Sequence, residues 1–329
     1  MKKERVSAFA GEKVLGAPLT FRALSVIITL RSHPLWRREM KIYKITAEEI
    51  AEKVRELALA ANMYLPEDVK SSLAAARAAE KMLQARAVYE EIIKNAELAA
   101  EKYMPICQDC GMAVIFAEFG QDLFVEGGGA SDALNEGVRR AYADGYLRKS
   151  VVSDPLFARK NSGDNTPAVI HWRVVPGHSL KITVAPKGMG SENMSRIFML
   201  KPADGVEGVV NAAVETVRAA GSNPCPPVVI GVGIGGNFET APLAAKEALL
   251  VPCGKRNPVG FYAEMEERIL NEANRLGIGP AGIGGSVTAL DAHIVARPTH
   301  IAGMPVAVNL CCHALRHASG RIEGRPCNE

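Results

Sequence analysis

The stretch Ile106-Cys107-Gln108-Asp109-Cys110-Gly111, directly after Pro105, puts two thiols, an amide, a carboxylate and a glycine into six consecutive residues. Three kinds of chemistry use such a set: a C-x-x-C redox pair, half of a zinc site, or a thiolate ligand flanked by polar groups for a substrate. The run Val114-Ile115-Phe116-Ala117 that follows reads as a short buried strand. The cluster therefore stands on the turn leading into it.

The other thiols bear on the choice. Seven cysteines, at 107, 110, 225, 253, 311, 312 and 327, form an odd set without regular spacing. With no secretory signal in view, a reducing, cytoplasmic setting is expected, and thiols kept reduced are available as metal ligands. A zinc site generally draws on closely spaced pairs. Cys107/Cys110 and Cys311/Cys312 are pairs, but adjacent cysteines do not easily reach one metal together. A thioredoxin-type C-x-x-C belongs at a helix N-terminus, whereas Cys107 leads into a strand. One cysteine from each of three Gly- or Pro-bounded loops, Cys107, Cys225 and Cys312, gives a different count. Three thiolates suffice for three irons of a cubane cluster, leaving the fourth iron open as a Lewis acid. Gln108, Asp109 and His300 would then face whatever binds there.

Three glycine-rich stretches offer further chemistry. Pro186-Lys187-Gly188-Met189-Gly190-Ser191 is a carboxylate or phosphate cradle, or a plain tight turn. Gly231, Gly233 and Gly236 match the G-x-G-x-x-G dinucleotide fingerprint, but no acid follows about 20 residues on. Gly277 to Ser286 is a third such loop.

Behind these loops the expected elements are mixed. Thr46 and Glu49 form a capping box ahead of a helix whose Ile50, Val54, Leu57 and Ala61 share a face to about Met63. Glu67 to about Glu101 is two further helices or one long bent one. Helices are also expected over Ser131–Asp144, Asp204–Ala220, Ala241–Leu250 and Glu264–Arg275. Strands are expected over Val169–Val175, His178–Ala185, Ala289–Val295 and Met304–Asn309, with order ending at Cys311–His317. A long polar loop runs from Asp154 to Pro167. The fold class is α/β: a helical N-terminal region, then mixed sheets flanked by helices, with Gly- and Pro-rich loops at the site.

Composition excludes some partners. The 329 residues are 48% hydrophobic and 23% charged, and only 5% aromatic, which offers little surface for stacking bases. The formal charge is +3, but residues 1–39 hold eight Lys and Arg against three Glu. That segment carries +5, so +3 less +5 leaves −2 on residues 40–329. No electrostatic case for nucleic acid or an anionic membrane remains. The apolar run Ala23–Leu30 is far shorter than the roughly 20 residues of a bilayer span. Residues 1–39 read as an appendage or an upstream start, and 40–329 as one large domain.

Several long motifs in one order carry a resemblance: CQDCG, RKNSGDNTPAVIH, GMGSENMS, GSNPCPP, GVGIGGNFE with LAAKEALL, GIGPAGIGG, and RPTHIAGMPVAVNLCCHALRH. From about Met40 to His317 the chain resembles the iron–sulfur hydro-lyases of the class I fumarase group, which includes L-tartrate dehydratase. The resemblance implies that Cys107, Cys225 and Cys312 ligate a 4Fe–4S cluster. It implies that Gln108 and Asp109 bind substrate, Asp109 transferring a proton at the leaving hydroxyl, that Arg148 pairs with a substrate carboxylate, that Gly190 gives a backbone contact, and that His300 touches substrate. Cys110 stands where the family has threonine, and Cys311 is expected to be a bystander. Single-chain members continue into a second domain, and this chain stops at Glu329. It is therefore expected to be an alpha subunit that needs a beta subunit for activity. Fumarate/malate is the first substrate expected, in the setting of the tricarboxylic acid cycle, then tartrate/oxaloacetate or a related dicarboxylate such as mesaconate. The rival from another class is a zinc- or nucleotide-binding module.

Overall fold

In the computed structural model residues 41–327 are described; residues 1–39, with the readings placed on them, lie outside that range. β1 (Tyr43–Thr46) turns at once into α1 (Ala47–Met63). The turn is the reciprocal cap expected from the sequence. Thr46 Oγ1 accepts from the Glu49 N–H at 3.1 Å, and the Glu49 carboxylate accepts from the Thr46 N–H at 2.7 Å. Ile50, Val54, Leu57 and Ala61 are all buried, because their spacing keeps them on one face.

The next stretch is two helices, α2 (Glu67–Ala79) and α3 (Leu83–Lys102). A buried acid fixes the break between them. Glu80 accepts from the Lys81 and Met82 N–H groups and from the N–H and hydroxyl of Ser286. Burial alone would raise this carboxyl's pKa, but those hydrogen bonds hold it below its usual value. The same acid thus ties the helical region to the 277–286 loop.

Three mixed sheets follow. The small one pairs β1 in parallel with β3 (Leu123–Glu126) and antiparallel with β11 (Arg325–Pro326). The second has the order β10 (Ala318–Glu323), β5 (Ser179–Lys187), β2 (Met112–Gly120), β4 (Val169–Val175). The third has the order β6 (Arg196–Leu200), β9 (Met304–Cys311), β7 (Val228–Gly236), β8 (Ala289–Thr299). α1 and α4 (Ala130–Asp144) share a core with Ile115, Ala117, Leu180, Ile182 and Val184 of the second sheet. α6 (Gly205–Ala220) and α8 (Gly260–Asn274) share another with Ile230, Val232, Ala292 and Ile294 of the third. Each such buried Val, Leu or Ile contributes about 1.5–3 kcal/mol. That burial holds the strand ends rigidly enough to aim the loops between them. No helix among the described residues is long and apolar enough to cross a membrane.

Two expectations need correction. Gly231 and Gly233 lie inside β7, not on a phosphate-binding turn. A Cβ there would stand 2.2 Å from Ala245 O and 2.1 Å from Ala241 O, so these glycines let α7 (Thr240–Ala248) lie against the strand. Order also continues past His317. β10 alternates without apolar strength, Ala318-Ser319-Gly320-Arg321-Ile322-Glu323, and is a strand because it completes the open edge of β5. Its pairing is tertiary, and its sequence carries little signal.

Candidate functional site

Four strand ends converge. Met112, the first residue of β2, pairs with Lys187, the last of β5. Val229, near the start of β7, pairs with Cys311, the last of β9. Hence the loop entering β2 (Cys107 to Gly111), the loop leaving β5 (Gly188 to Ser191), the loop entering β7 (Asn223 to Pro227) and the residues leaving β9 (Cys312 onward) all sit where their sheets end.

Polar contacts lock these loops together. Asp109 accepts from the Gly111 N–H at one oxygen and from the Met189 N–H at the other, each at 2.9 Å. Met189 opens the single-turn helix α5 (Met189–Glu192). A Cβ on Gly188 would stand 3.1 Å from the Asp109 carboxylate, so glycine there keeps the carboxylate's seat open. Gly190 is exposed and faces the Cys225 loop, its Cβ position 3.6 Å from Asn223 O. Arg316, almost fully buried, donates from Nη2 to the Asp109 carbonyl. His313 reaches the Cys225 carbonyl with its ring at 3.0 Å and its N–H at 3.4 Å.

The three cysteines assigned from the sequence are brought to this end of the sheets. Cys225 is exposed, and its φ of 53° is a strained conformation for a residue with a side chain. Its thiol is pushed up by burial of the group, then by the charges of Cys312 and Cys107. Cys312 is pushed up by its hydrogen bond to Cys311 and by burial. The Cys107 sulfur accepts from the Asp109 N–H at 3.4 Å, the contact that steadies a metal-bound thiolate. Three thiols gathered on these loops, none of them in a disulfide, are a donor set that a metal group would ionise, and in kind and number they fit an iron–sulfur cluster.

Cys110 is a different residue. It is buried in the α1/second-sheet core, its sulfur accepts from the Arg148 N–H at 3.1 Å, and burial raises its pKa. It also donates to the Cys107 carbonyl at 3.7 Å. A small side chain that accepts one N–H is what threonine would supply, and the C-x-x-C redox reading fails on geometry because the second thiol faces the core. Gln108 and Arg148 are exposed beside the cluster. Lys187 does not serve the glycine loop as a cradle: buried, it pairs with Glu192 at 3.0 Å. Glu192 pairs also with Lys246 at 2.6 Å, and the two lysines hold its carboxyl at about 2 against burial.

His300 is not brought to the cysteines. It lies on the turn between β8 and β9, where its Nδ1 accepts from the Ala302 N–H. β8 leaves the sheet beside Gly236, the last residue of β7, while Cys225 and Cys312 flank its first. The length of β7, roughly 25 Å at about 3.3 Å per residue, separates them. Sequence reasoning assigned no role to His313 or Arg316, although both stand in the CCHALRH motif. Their signal was a cation and an imidazole within four residues of a ligand cysteine. A separate cavity of about 510 Å³ lies between β2, β4 and α7, lined by His171, Arg173, Glu247 and Arg297, and none of the three cysteines lines it. The chemistry-bearing residues outweigh the size of that hollow.

Comparison with known proteins places the chain among relatives. The fumarate hydratase (Fumerase) family matches residues 51–321. A putative L(+)-tartrate dehydratase subunit alpha of Methanocaldococcus jannaschii is 39% identical over 280 residues, 84% of this chain and 98% of that protein. The L(+)-tartrate dehydratase subunit alpha of Escherichia coli UTI89 is 34% identical over 261 residues, 78% of this chain and 86% of that protein.

Proposed function

We propose a function from one premise: this chain belongs to the fumarate hydratase (Fumerase) family. It is a hydro-lyase, and its substrate is a four-carbon dicarboxylate, in the first place fumarate and malate. The reading rests above all on one observation, the convergence of Cys107, Cys225 and Cys312 around Asp109 at one end of two sheets. A second reading, dehydration of L(+)-tartrate, is favoured by the names of the similar chains.

Cys107, Cys225 and Cys312 would hold three irons of a 4Fe–4S cluster, whose open iron supplies Lewis-acid chemistry toward a substrate hydroxyl. The chain's own groups do the rest. Gln108 and Arg148, exposed beside Cys107, would take a substrate carboxylate, the guanidinium with two parallel hydrogen bonds. Gly190 leaves backbone open to the same space. Asp109, fixed by two N–H groups, would hand a proton to the leaving hydroxyl, so that water departs and the C–O bond breaks. Arg316 and His313 would position Asp109 and Cys225 by holding their carbonyls.

The base for the adjacent C–H is assigned to a beta-type partner chain, since both similar proteins are named alpha subunits. His300, at the other end of its sheet, would serve a substrate only in a site completed by another chain. The test is turnover of malate, fumarate, mesaconate and both tartrates by the iron- and sulfide-loaded chain, with and without the beta-type chain. Turnover by the pair alone is expected. A loaded pair inert on all of them would overturn the hydro-lyase reading, and full turnover by the single chain would overturn the partner.

A further inference from the structure

Asp291 and His293 are two residues apart on β8, so their side chains share a face of that strand. The ladder sets Asp291 beside Val229 and His293 beside Gly231, on the side that α7 covers. The loop after α7 brings Cys253 to the same place. One donor atom each from Cys253, Asp291 and His293 lies within 4.8 Å of the others. Asp291 is 1% exposed and His293 0%. None of the three has a part in the site at the sheet ends.

His293 is the anomaly. Neither ring nitrogen has a hydrogen-bond partner among the described residues, and Nε2 stands 3.5 Å from the Asp291 carboxylate. A neutral imidazole carries one donor and one acceptor, and leaving both unmet in a dry interior is costly. Protonation is no remedy, because burial holds this imidazole below its usual pKa even against the pull of Asp291 and Glu266. Cys253 is a reluctant acid as well, its thiol pushed to about 12 by burial and by Asp291 and Asp68. Charge is also out of balance. Arg256 bridges Asp291 at 2.6 Å and Glu266 at 3.8 Å, and Asp68 accepts from the Cys253 N–H at 2.7 Å. Two acids thus share one guanidinium, and a third acid stands against the backbone of Cys253.

We propose that Cys253, Asp291 and His293 bind one divalent ion of borderline softness, Zn²⁺ foremost. Such an ion takes the imidazole lone pair, displaces the thiol proton and offsets the surplus of acid. Sulfur, imidazole nitrogen and carboxylate oxygen are zinc's usual donors, and on a tetrahedron they stand about 3–4 Å apart. The group closes with a shift of roughly 1 Å. The Asp291 carboxylate is already oriented, one oxygen by Arg256 and the other by the Gly254 N–H, each at 2.6 Å, as outer partners orient a metal ligand. The ion ties the outer strand β8 to the 249–257 loop and stays clear of substrate.

Spare thiols also capture zinc, so the test uses the full chain carrying Cys107→Ser, Cys225→Ser and Cys312→Ser. Incubated with Zn²⁺ and stripped of loose metal on a chelating resin, this chain is expected to retain about one zinc by mass spectrometry of the elements. Adding Cys253→Ser or His293→Gln is expected to lower that by roughly tenfold or more. Co²⁺ in place of Zn²⁺ is expected to give a thiolate charge-transfer band in the parent that Cys253→Ser removes. The cobalt spectrum of the parent stands by itself if a variant misfolds. A parent that holds no zinc and shows no such band, or zinc undiminished by both substitutions, overturns the proposal.

Discussion

Two groups of candidate metal ligands sit at opposite kinds of place in this molecule. Cys107, Cys225 and Cys312 stand on loops at the ends of β2, β7 and β9, with exposed Gln108 and Arg148 beside them. Cys253 sits against a sheet face with a fully buried histidine and acid. Each group combines sulfur with a carboxylate. The difference is access: the first leaves room for a substrate next to its sulfurs, and the second is filled by protein. Donor chemistry alone does not tell the two groups apart; position relative to strand ends does.

The largest expected effect falls only on the open site. Asp109→Asn is expected to lower kcat by about 10²–10⁴ while iron content is unchanged, read by steady-state assay of the loaded enzyme. If turnover is unaffected, Asp109 positions a loop and transfers no proton.

Beneath the open site, Glu192 clamps α5 between Lys187 and Lys246. Its carboxyl falls from 4.5 to about 2 in the folded chain. A depressed carboxyl stabilises the fold above its unfolded value, and that contribution is lost as pH falls from about 4.5 toward 2. The shift corresponds to about 3 kcal/mol. Urea unfolding followed against pH is expected to show this loss, and Glu192→Gln to flatten it.

β7 runs between the two ligand groups, so overpacking it tests what they share. Gly233→Ala would drive a methyl into the Ala241 carbonyl and is expected to destabilise by about 1–3 kcal/mol, measured as a lower urea midpoint. The smallest effect is reserved for Cys110. Because its sulfur accepts the Arg148 N–H and donates to the Cys107 carbonyl, both of which a threonine hydroxyl can do, Cys110→Thr is expected to change stability by less than about 1.5 kcal/mol and to leave the redox behaviour of the chain unchanged.

The residues of the candidate open site stood out in the sequence because they lie in continuous motifs: Cys107-Gln108-Asp109 on one turn, Cys225 between prolines, Cys312 beside His313. The α1 cap was legible for the same reason, since Thr46 and Glu49 act over three residues. What escaped depended on distant partners. β10 is a strand because β5 has an open edge, and Arg316 matters because its guanidinium reaches a carbonyl 207 residues away. The G-x-G-x-x-G match was local too, yet Gly231 and Gly233 answer to a helix packed on their strand. His293 and Cys253 carry no spacing signal, being 40 positions apart, and only the ladder and the α7 loop bring them together. His300 shows the converse, a residue placed at the site by likeness that its own sheet holds at the far end.

The central claim is that three cysteines from three loops act as one ligand set. Iron and sulfide analysis of the full chain, reconstituted anaerobically beside its Cys225→Ser variant, tests it most directly. About four irons and four sulfides per chain are expected, with the Cys225→Ser chain losing the cluster absorption. A Cys225→Ser chain that keeps the complete cluster and its full spectrum would contradict the account.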